Sequence, residues 1–522
     1  MRSYVDARTG ARNFGYIEIL LKIWYDLKNM IQPTLFDIEE NHTVESISNP
    51  KTYKGIYAFH KYWGKKPIES LDYCIENCTN KNDIVLDPFL GSGLISKEAH
   101  NLGRRFLGID INPFSIEHTL FLLSLPRADD YKNAIKLIKE NVLSKISESY
   151  ALENGDTATH FLWNKDELQE VWKKNNNSRR KVQLEPSDFD LNKIKSFENY
   201  SVRNIQKGTF FENARINSME NMTIYDLFTK RALYNIDLIL DEINKFSGDL
   251  KRALQLTLTS SSGQMSNMVF AITNRGKTKN QQSEKIEVGS WVIGLWRPDL
   301  HFEINVWNCF ENRANKLYKA LLEQDSFPIS CKNSISDFYA KQAEMGIVQG
   351  NSKIELKKIP SASIKLIITD PPHSDRIPYL ELSEMWNCLL NKKSDFSEEI
   401  VVSNAKIRQK SKDKYLTDMR EILSESSRIL TKDGYLLLYF NAKDKNSWSF
   451  FDSIEKQNSL VYLGSFPMEY SANSVVQDNR KGAMKSDYVL VFNHSRTQKT
   501  LNIFNKIKGW TSDKPFKEVK NA

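Results

Sequence analysis

Between Gly55 and Leu125 the apolar positions recur first at helical and then at strand spacing. Ile68 to Cys78 gathers its apolar residues on one helical face, DIVLD (Asp83 to Asp87) reads as a short buried strand, and RRFLGID (Arg104 to Asp110) as a second. Helix, strand, tight turn, helix, strand is the opening of a doubly wound α/β unit. After Pro126 the alternation is lost for about 220 residues, a stretch with polar runs at Lys173 to Lys181 and Asn274 to Lys285 and helical spacing around Tyr225 to Phe246. The rhythm returns with KLIIT (Lys365 to Thr369), a helix at Tyr415 to Leu430, and the strand YLLLYF (Tyr435 to Phe440) after the turn Lys432-Asp433-Gly434. LVYLGSF (Leu460 to Phe466) and DYVLVF (Asp487 to Phe492) complete a sheet. The pattern predicts one α/β domain in two halves, 51–125 and 346–500, separated by an insertion at 126–345, with a flexible arm at 1–50 and a basic tail at 501–522.

At 522 residues the chain exceeds one ordinary domain, in keeping with an inserted unit. Apolar residues at 40% supply a real core, which excludes wholesale disorder and fibrous folds. The five cysteines are an odd, scattered set without a CxxC pair, so neither a disulfide framework nor a metal knuckle is expected, and a reducing cytoplasmic interior fits. Cys74 and Cys78 share one helical face and read as buried small side chains. The apolar stretch Ile17 to Trp24 is broken by Glu18 and Lys22, so no signal-peptide core or membrane span is drawn there. The net charge of +8 suits a polyanionic partner without demanding one.

Two loops carry candidate chemistry. DPFLGSG, Asp87 to Gly93, leaves the first strand and enters a helix; Gly91 and Gly93 let the backbone approach a nucleotide-like ligand, and Asp110 at the end of the next strand is placed to accept from ribose hydroxyls. The third glycine of a dinucleotide fingerprint is replaced by Ser96, and a Gly pair alone also suits any tight strand-to-helix turn. TDPPHSD, Thr369 to Asp375, follows another buried strand. Its prolines remove two N–H donors, so the carbonyls and the Asp370 carboxylate form an acceptor-rich rim that suits an exocyclic amino group; an ordinary Pro-rich turn is the alternative for this motif taken by itself.

Together the two loops resemble the S-adenosylmethionine-dependent amino-methyltransferases that modify the exocyclic nitrogen of adenine or cytosine in DNA, with their F-x-G-x-G cofactor loop and D/N/S-P-P-aromatic catalytic loop. The resemblance spans Tyr57 to Asp130 and Gly350 to His494, and it includes FHKYWGKKP (Phe59 to Pro67), which is similar to the family's cofactor-side segment ending in Lys-Pro. It implies a Rossmann-like methyltransferase sheet interrupted by the insertion. It implies S-adenosylmethionine as cofactor, held by Phe59, Lys66, Pro67, Asp87, Pro88, Phe89, Gly91, Gly93, Asp110 and Ile111, and a catalytic loop of Asp370, Pro371, Pro372 and His373. In the mechanism the resemblance implies, the base leaves the duplex and Asp370 with the Pro371 carbonyl accepts from its amino group, so methyl transfer is direct. His373 stands where the family has Tyr, Phe or Trp; its expected part is to stack on the extruded base, with Tyr379 or Trp386 as further aromatic surface or, alternatively, as core. Asp in the first position leans toward adenine-N6 over cytosine-N4. Carbon-5 methylation requires a thiolate, typically after proline, and none of the five cysteines follows one.

Duplex DNA is the implied partner, read by the insertion. Arg297 and Arg313 lie in the Trp- and Arg-rich stretch Gly289 to Arg313, and Lys406, Arg408, Lys410 and Lys412 follow the catalytic loop, where phosphate contacts would place the duplex; both sets also fit a packed core edge and a solvated face. Gln32 to Phe36, in QPTLFDI, resembles the peptides that hold the bacterial sliding clamp. A restriction endonuclease of the same system is a further expected partner; no nuclease constellation is found in the chain itself. An RNA amino-methyltransferase and a non-catalytic binding protein retaining the fold are the rival readings.

Overall fold

The computed structural model describes residues 53–175, 181–273, 286–291, 293–324, 329–373, 377–440, 451, 454–455, 459–468, 487–497 and 501–514. The expected arm at 1–50, with the clamp-like peptide Gln32 to Phe36, lies outside them. The first half contributes β1 (Ile84–Asp87) and β2 (Arg105–Asp110). The insertion contributes β3 (Ala158–Asn164), β4 (Glu167–Lys174), β5 (Lys181–Leu184), β6 (Val269–Ile272), β7 (Glu287–Val288) and β8 (Leu300–Ile304). The second half contributes β9 (Cys331–Lys332), β10 (Met345–Gln349), β11 (Ile364–Thr369), β12 (Leu430–Phe440), β13 (Val461–Met468) and β14 (Asp487–Asn493).

The two halves share one eight-stranded sheet of order β13-β14-β12-β11-β1-β2-β10-β9. From β9 to β12 neighbouring strands are parallel, while β14 and β13 close the other edge antiparallel. The apolar runs of β1 and β11 are buried on both faces because helices cover both. Val85, Leu366 and Leu437 enter one core, and their neighbours Leu86, Ile367 and Leu436 enter the other. From β1 the chain passes to β2 on one side, whereas β11 pairs with β1 on the other. The connections leaving β1 and β11 therefore diverge and open a crevice at the carboxyl ends of these strands.

Four helices matter for that crevice: α1 (Ile68–Cys78), α2 (Leu94–Asn101) and α3 (Pro113–Leu123) in the first half, then α4 (Ala128–Ser149), which begins the insertion. The insertion adds α5 (Lys230–Ile243), α6 (Gly248–Met265) and α7 (Val306–Leu321) around an antiparallel sheet of order β5-β4-β3-β8-β6-β7. Arg231 of α5 makes a two-pronged ion pair with Glu303 of β8 at 2.8 and 2.9 Å, both side chains buried. The second half adds α8 (Tyr379–Leu389) and α9 (Lys412–Ile429). No helix of the described residues is long and apolar enough to cross a membrane.

Two expected boundaries move. The insertion ends before Cys331, not at 345, because β9 pairs with β10 inside the main sheet (Met345 opposite Cys331). The segment expected as a basic tail is folded as far as Lys514: Phe504 is fully buried, Thr511 bridges Ser465 of β13, and Trp510 lies so close to Gly464 that an added Cβ would sit 2.5 Å from its ring.

Candidate active site

At the end of β1 the chain turns from Asp87 through Gly93 into α2. Gly91 and Gly93 adopt φ of +52° and +74°, the left-handed region that glycine enters without strain. At Gly93 space gives a second reason, since a Cβ there would stand 2.3 Å from Thr119 Oγ1 on α3. Asp110 Oδ2 accepts from Gly91 N at 2.7 Å and its Oδ1 from Asn112 N at 2.8 Å, so the acid ending β2 clasps the glycine turn. Asp87 Oδ1 accepts from Thr369 Oγ1 at 2.6 Å and from Phe89 N at 3.0 Å, tying the end of β1 to the end of β11. Burial raises Asp87 to about 7 and Asp110 to about 6, with these donors pulling the other way. His118 Nδ1 donates to Ser92 O at 2.8 Å and fixes the turn from behind; burial lowers this imidazole to about 3, so it stays neutral.

Asp370 follows β11 directly. Its Oδ2 lies 2.9 Å from Lys66 Nζ, which also lies 2.9 Å from Asp487 Oδ2 at the start of β14, so one ammonium joins two carboxylates. On the other side His373 Nε2 stands 2.9 Å from Asp370 Oδ1 and 3.0 Å from Tyr439 O on β12. Asp370 Oδ1 is buried and receives no well-aligned hydrogen bond. Tyr415 Oη of α9 donates to Pro372 O at 2.5 Å and anchors the middle of the loop.

The two loops face one another across a cleft with about 880 Å³ of empty space out to its mouth. Asp87, Phe89, Gly91, Asp110 and Ile111 line it from the cofactor-loop side, and Lys66, Asp370, Pro372 and Tyr379 from the other. Tyr62 forms part of the wall and stacks on Tyr379 at 5.8 Å and 13° and on Phe114 at 6.2 Å and 8°.

Six expected site residues sit off this wall. Phe59 is buried against Phe121, and its carbonyl accepts from Arg313. Pro67 caps α1 and accepts from Leu71 N at 3.2 Å, while the Pro88 carbonyl accepts from Ser352 Oγ at 2.5 Å. Gly93 is walled in by Thr119. The ring of His373 packs edge-on against Phe440 at 5.2 Å, so its side chain turns toward the sheet and not toward the base-stacking place expected of it. Pro371 is buried beside Asp370. Trp386, the other aromatic candidate, is core, stacked on Trp63 at 5.0 Å.

Residues 18–121 match the family model described as DNA methylase, of the N6/N4 methyltransferase type. The type II methyltransferase M.MjaII of Methanocaldococcus jannaschii is 28% identical over 139 residues, 27% of this chain and 25% of that protein. The type II methyltransferase M2.LlaDCHI of Lactococcus lactis subsp. cremoris is 44% identical over 54 residues, and the putative methylase YubD of Escherichia coli is 49% identical over 47. These two matches cover 10% and 9% of this chain, and 20% and 21% of the relatives. The chain carries an N6/N4 DNA methylase segment. The matches span a quarter or less of the length of these curated relatives.

The cleft also contains residues that the sequence reading did not assign to the site: Asn112, Gly350, Ser352, Glu399 and Ile400. Gly350 arrives there because its N–H donates to Asp110 O at 2.9 Å, a pairing made by β10 only after the long insertion. Gly64 was legible in principle as the glycine of YWGKKP; its φ is +76° and a Cβ would stand 3.0 Å from Tyr379 Oη.

The basic residues divide. Arg408 is not a surface cation: its side chain is 1% exposed, pairs with Glu381 at 2.5 Å and with Glu399, and so serves the wall of the cleft. Lys410 is also buried and donates to Ser397 O at 2.5 Å. Arg313 is partly buried and held by Phe59 O at 3.1 Å. Lys406 is exposed, Lys412 partly buried at the start of α9, and Arg297 lies 3.1 Å from the exposed Asp166.

Proposed function

We propose that this protein is a DNA amino-methyltransferase that transfers a methyl group from S-adenosylmethionine to the exocyclic N6 of adenine in duplex DNA. The observation that carries the reading is the meeting, in one cleft, of the clasped glycine turn with the Asp370 carboxylate. A carboxylate has about four lone-pair sites, so Asp370 keeps acceptor capacity beside Lys66 and His373, and an amino group has two hydrogens to give.

The residues present fit the cofactor. Gly91 leaves a cradle where a Cβ would come within 3.4 Å of Tyr62, and Asp110 retains acceptor capacity for hydroxyl groups beyond its two backbone donors. Phe89, Leu90 and Ile111 supply apolar wall for a purine, and Asp87 and Asp110 supply negative charge beside it. When bound, S-adenosylmethionine supplies an electrophilic methyl group. The chain's own part is positional: Asp370 accepts from the amino group and aims its lone pair, and Tyr379, backed by Tyr62, offers a flat face to the extruded base. Asp at position 370 is what favours adenine over cytosine. The relatives' printed description as type II methyltransferases supports a modification enzyme with a restriction endonuclease as its counterpart.

Backbone phosphates have a separate place to bind. A second cleft, about 1240 Å³ out to its mouth, lies within the insertion, lined by Lys174, Lys181, Arg313 and Lys316 with Thr159, Ser290 and Asn308. Among the described residues Glu311 is the one carboxylate on its wall, and Lys139 pairs with it at 2.6 Å. Cations in this excess suit a polyphosphate chain.

The deciding experiment is transfer of labelled methyl from S-adenosylmethionine to duplex DNA and to RNA, followed by nucleoside mass analysis, for the wild type and Asp370→Ala. N6-methyladenine in DNA that disappears in the variant supports the reading. N4-methylcytosine replaces the base assignment, label only in RNA replaces the substrate, and cofactor binding without transfer to either leaves a binding protein.

A further inference from the structure

His373 occupies the fourth position of the catalytic loop, yet its ring is not on the cleft wall. Its side chain is 9% exposed and packs against Phe440. Two oxygens approach the same nitrogen, Tyr439 O at 3.0 Å and Asp370 Oδ1 at 2.9 Å. A carbonyl oxygen can only accept, so Nε2 carries the proton and donates. Placed between two acceptors, that N–H ties the loop to β12 while its positive end faces the Asp370 carboxylate. Lys66 Nζ holds the other oxygen of the same carboxylate. Asp370 is thus braced on two sides, and the flat surface that a ring at position 373 would offer is provided instead by Tyr379, stacked on Tyr62.

We propose that His373 is a positioning residue, which fixes the Asp370 carboxylate through Nε2–H, and that Tyr379 has taken over the base-stacking face. The proposal rests on the methyltransferase reading and assigns work within its site. It differs from a stacking role in what it requires at position 373: a hydrogen-bond donor at the place of Nε2, not an aromatic ring.

Three full-length variants separate the two roles. His373→Ala removes donor and ring, His373→Gln puts an amide N–H near the place of Nε2 without a ring, and His373→Phe keeps a ring without a donor. With the duplex that the wild type methylates, His373→Ala is expected to lower kcat by about 10- to 100-fold, the scale on which a misplaced catalytic group costs rate, with KM for DNA within about 2-fold. His373→Gln recovers most of kcat, and His373→Phe stays as low as His373→Ala. The reverse ranking, with Phe active and Gln not, or an effect confined to KM for DNA, overturns the proposal. A second measurement needs no turnover. In protein labelled with 15N-histidine, the signal missing from His373→Gln identifies the residue; an Nε2–H tautomer supports the contact and an Nδ1–H tautomer overturns it. If the wild type binds S-adenosylmethionine but methylates no nucleic acid, the methyltransferase reading itself has failed, and the tautomer alone then decides the contact.

Discussion

Lys66 Nζ lies 2.9 Å from Asp370 Oδ2, so the segment that precedes the glycine turn holds the acid that follows β11. The same ammonium lies 2.9 Å from Asp487 Oδ2, and both Lys66 and Asp487 are buried. A buried charge left without its partner is expensive, whereas removing a matched pair is cheap.

Lys66→Met therefore takes the shared ammonium away from both Asp487 and Asp370. Stability is expected to fall by about 3–5 kcal/mol, as for other broken buried pairs. Adding Asp487→Asn removes one of the two carboxylates that Lys66 served and returns part of that loss, while methyl transfer stays low because Asp370 has still lost its Lys66 brace. Denaturant unfolding and transfer rates of the single and double variants check this. Recovery of both properties together would mean that Lys66 serves only the fold.

Arg408 makes the opposite case to a DNA-contacting arginine. Its guanidinium is enclosed by Glu381 and Glu399, which are 2% and 6% exposed, and by the rings of Phe211 and Phe396 at 5.4 and 5.2 Å. Arg408→Ala is expected to destabilise the protein by about 3–5 kcal/mol, because two carboxylates then share a dry site. The dependence of DNA affinity on salt stays the same, since no phosphate contact has gone. Lys406→Ala, at an exposed position, leaves stability unchanged. Unfolding curves and a salt titration of binding separate the two; a shallower salt slope for Arg408→Ala would restore it to the surface.

The arginine shows where sequence reading stops. Lys406, Arg408 and Lys410 form a charge run, and such runs are usually solvated; that Glu381 lies 27 positions earlier and Glu399 nine has no local signature. The two chemical loops were legible because Ile84–Leu86 of β1 and Leu366–Ile368 of β11 are apolar runs, each followed by an Asp-Pro turn, and topology puts such turns together at the carboxyl ends of neighbouring strands. The insertion's sheet was not legible. In β4, ELQEVWKK buries only Val171 and Trp172, and the two residues of β9 carry no periodicity at all. The exchange of roles between His373 and Tyr379 depends on Tyr62, contributed by a segment that only the fold brings across the cleft.

Acid should loosen the glycine turn through His118. This histidine is 1% exposed, and burial first, then the nearby Lys65 charge, lower its imidazole from 6.5 to about 3. The unfolded chain therefore binds a proton between those values that the folded chain refuses, and stability falls as pH drops from 6.5 toward 3. The contribution of one such group approaches about 1.4 kcal/mol per pH unit. Asp87 and Asp110 act with the opposite sign: raised to about 7 and about 6, they favour the fold at low pH and cease to do so as pH rises through those values. The measurement is accordingly a difference. Unfolding free energy followed from pH 7 to pH 4.5 should fall less steeply in His118→Gln than in the wild type, and parallel curves would remove His118 from the account.

Gly93 offers the sharpest steric test of the cofactor turn. Two constraints coincide there, a φ of +74° and Thr119 Oγ1 at 2.3 Å from the place of a Cβ, with Thr119 Cβ at 2.9 Å. Shortening the neighbour relieves only the second. Gly93→Ala is expected to cost more than about 2 kcal/mol, as left-handed strain and overpacking add, and to weaken S-adenosylmethionine binding by shifting the turn that Asp110 clasps. Combining it with Thr119→Gly should return the packing part and leave the backbone part, about 1 kcal/mol. Gly91→Ala separates fold from binding: its Cβ meets nothing closer than Tyr62 at 3.4 Å, so the stability loss is limited to backbone strain, while the added methyl enters the cleft. Calorimetric titration with the cofactor, alongside thermal unfolding, should show Gly91→Ala weaker in binding than its small stability loss explains. Equal cofactor affinity in Gly91→Ala and the wild type would place the cofactor elsewhere than against this turn.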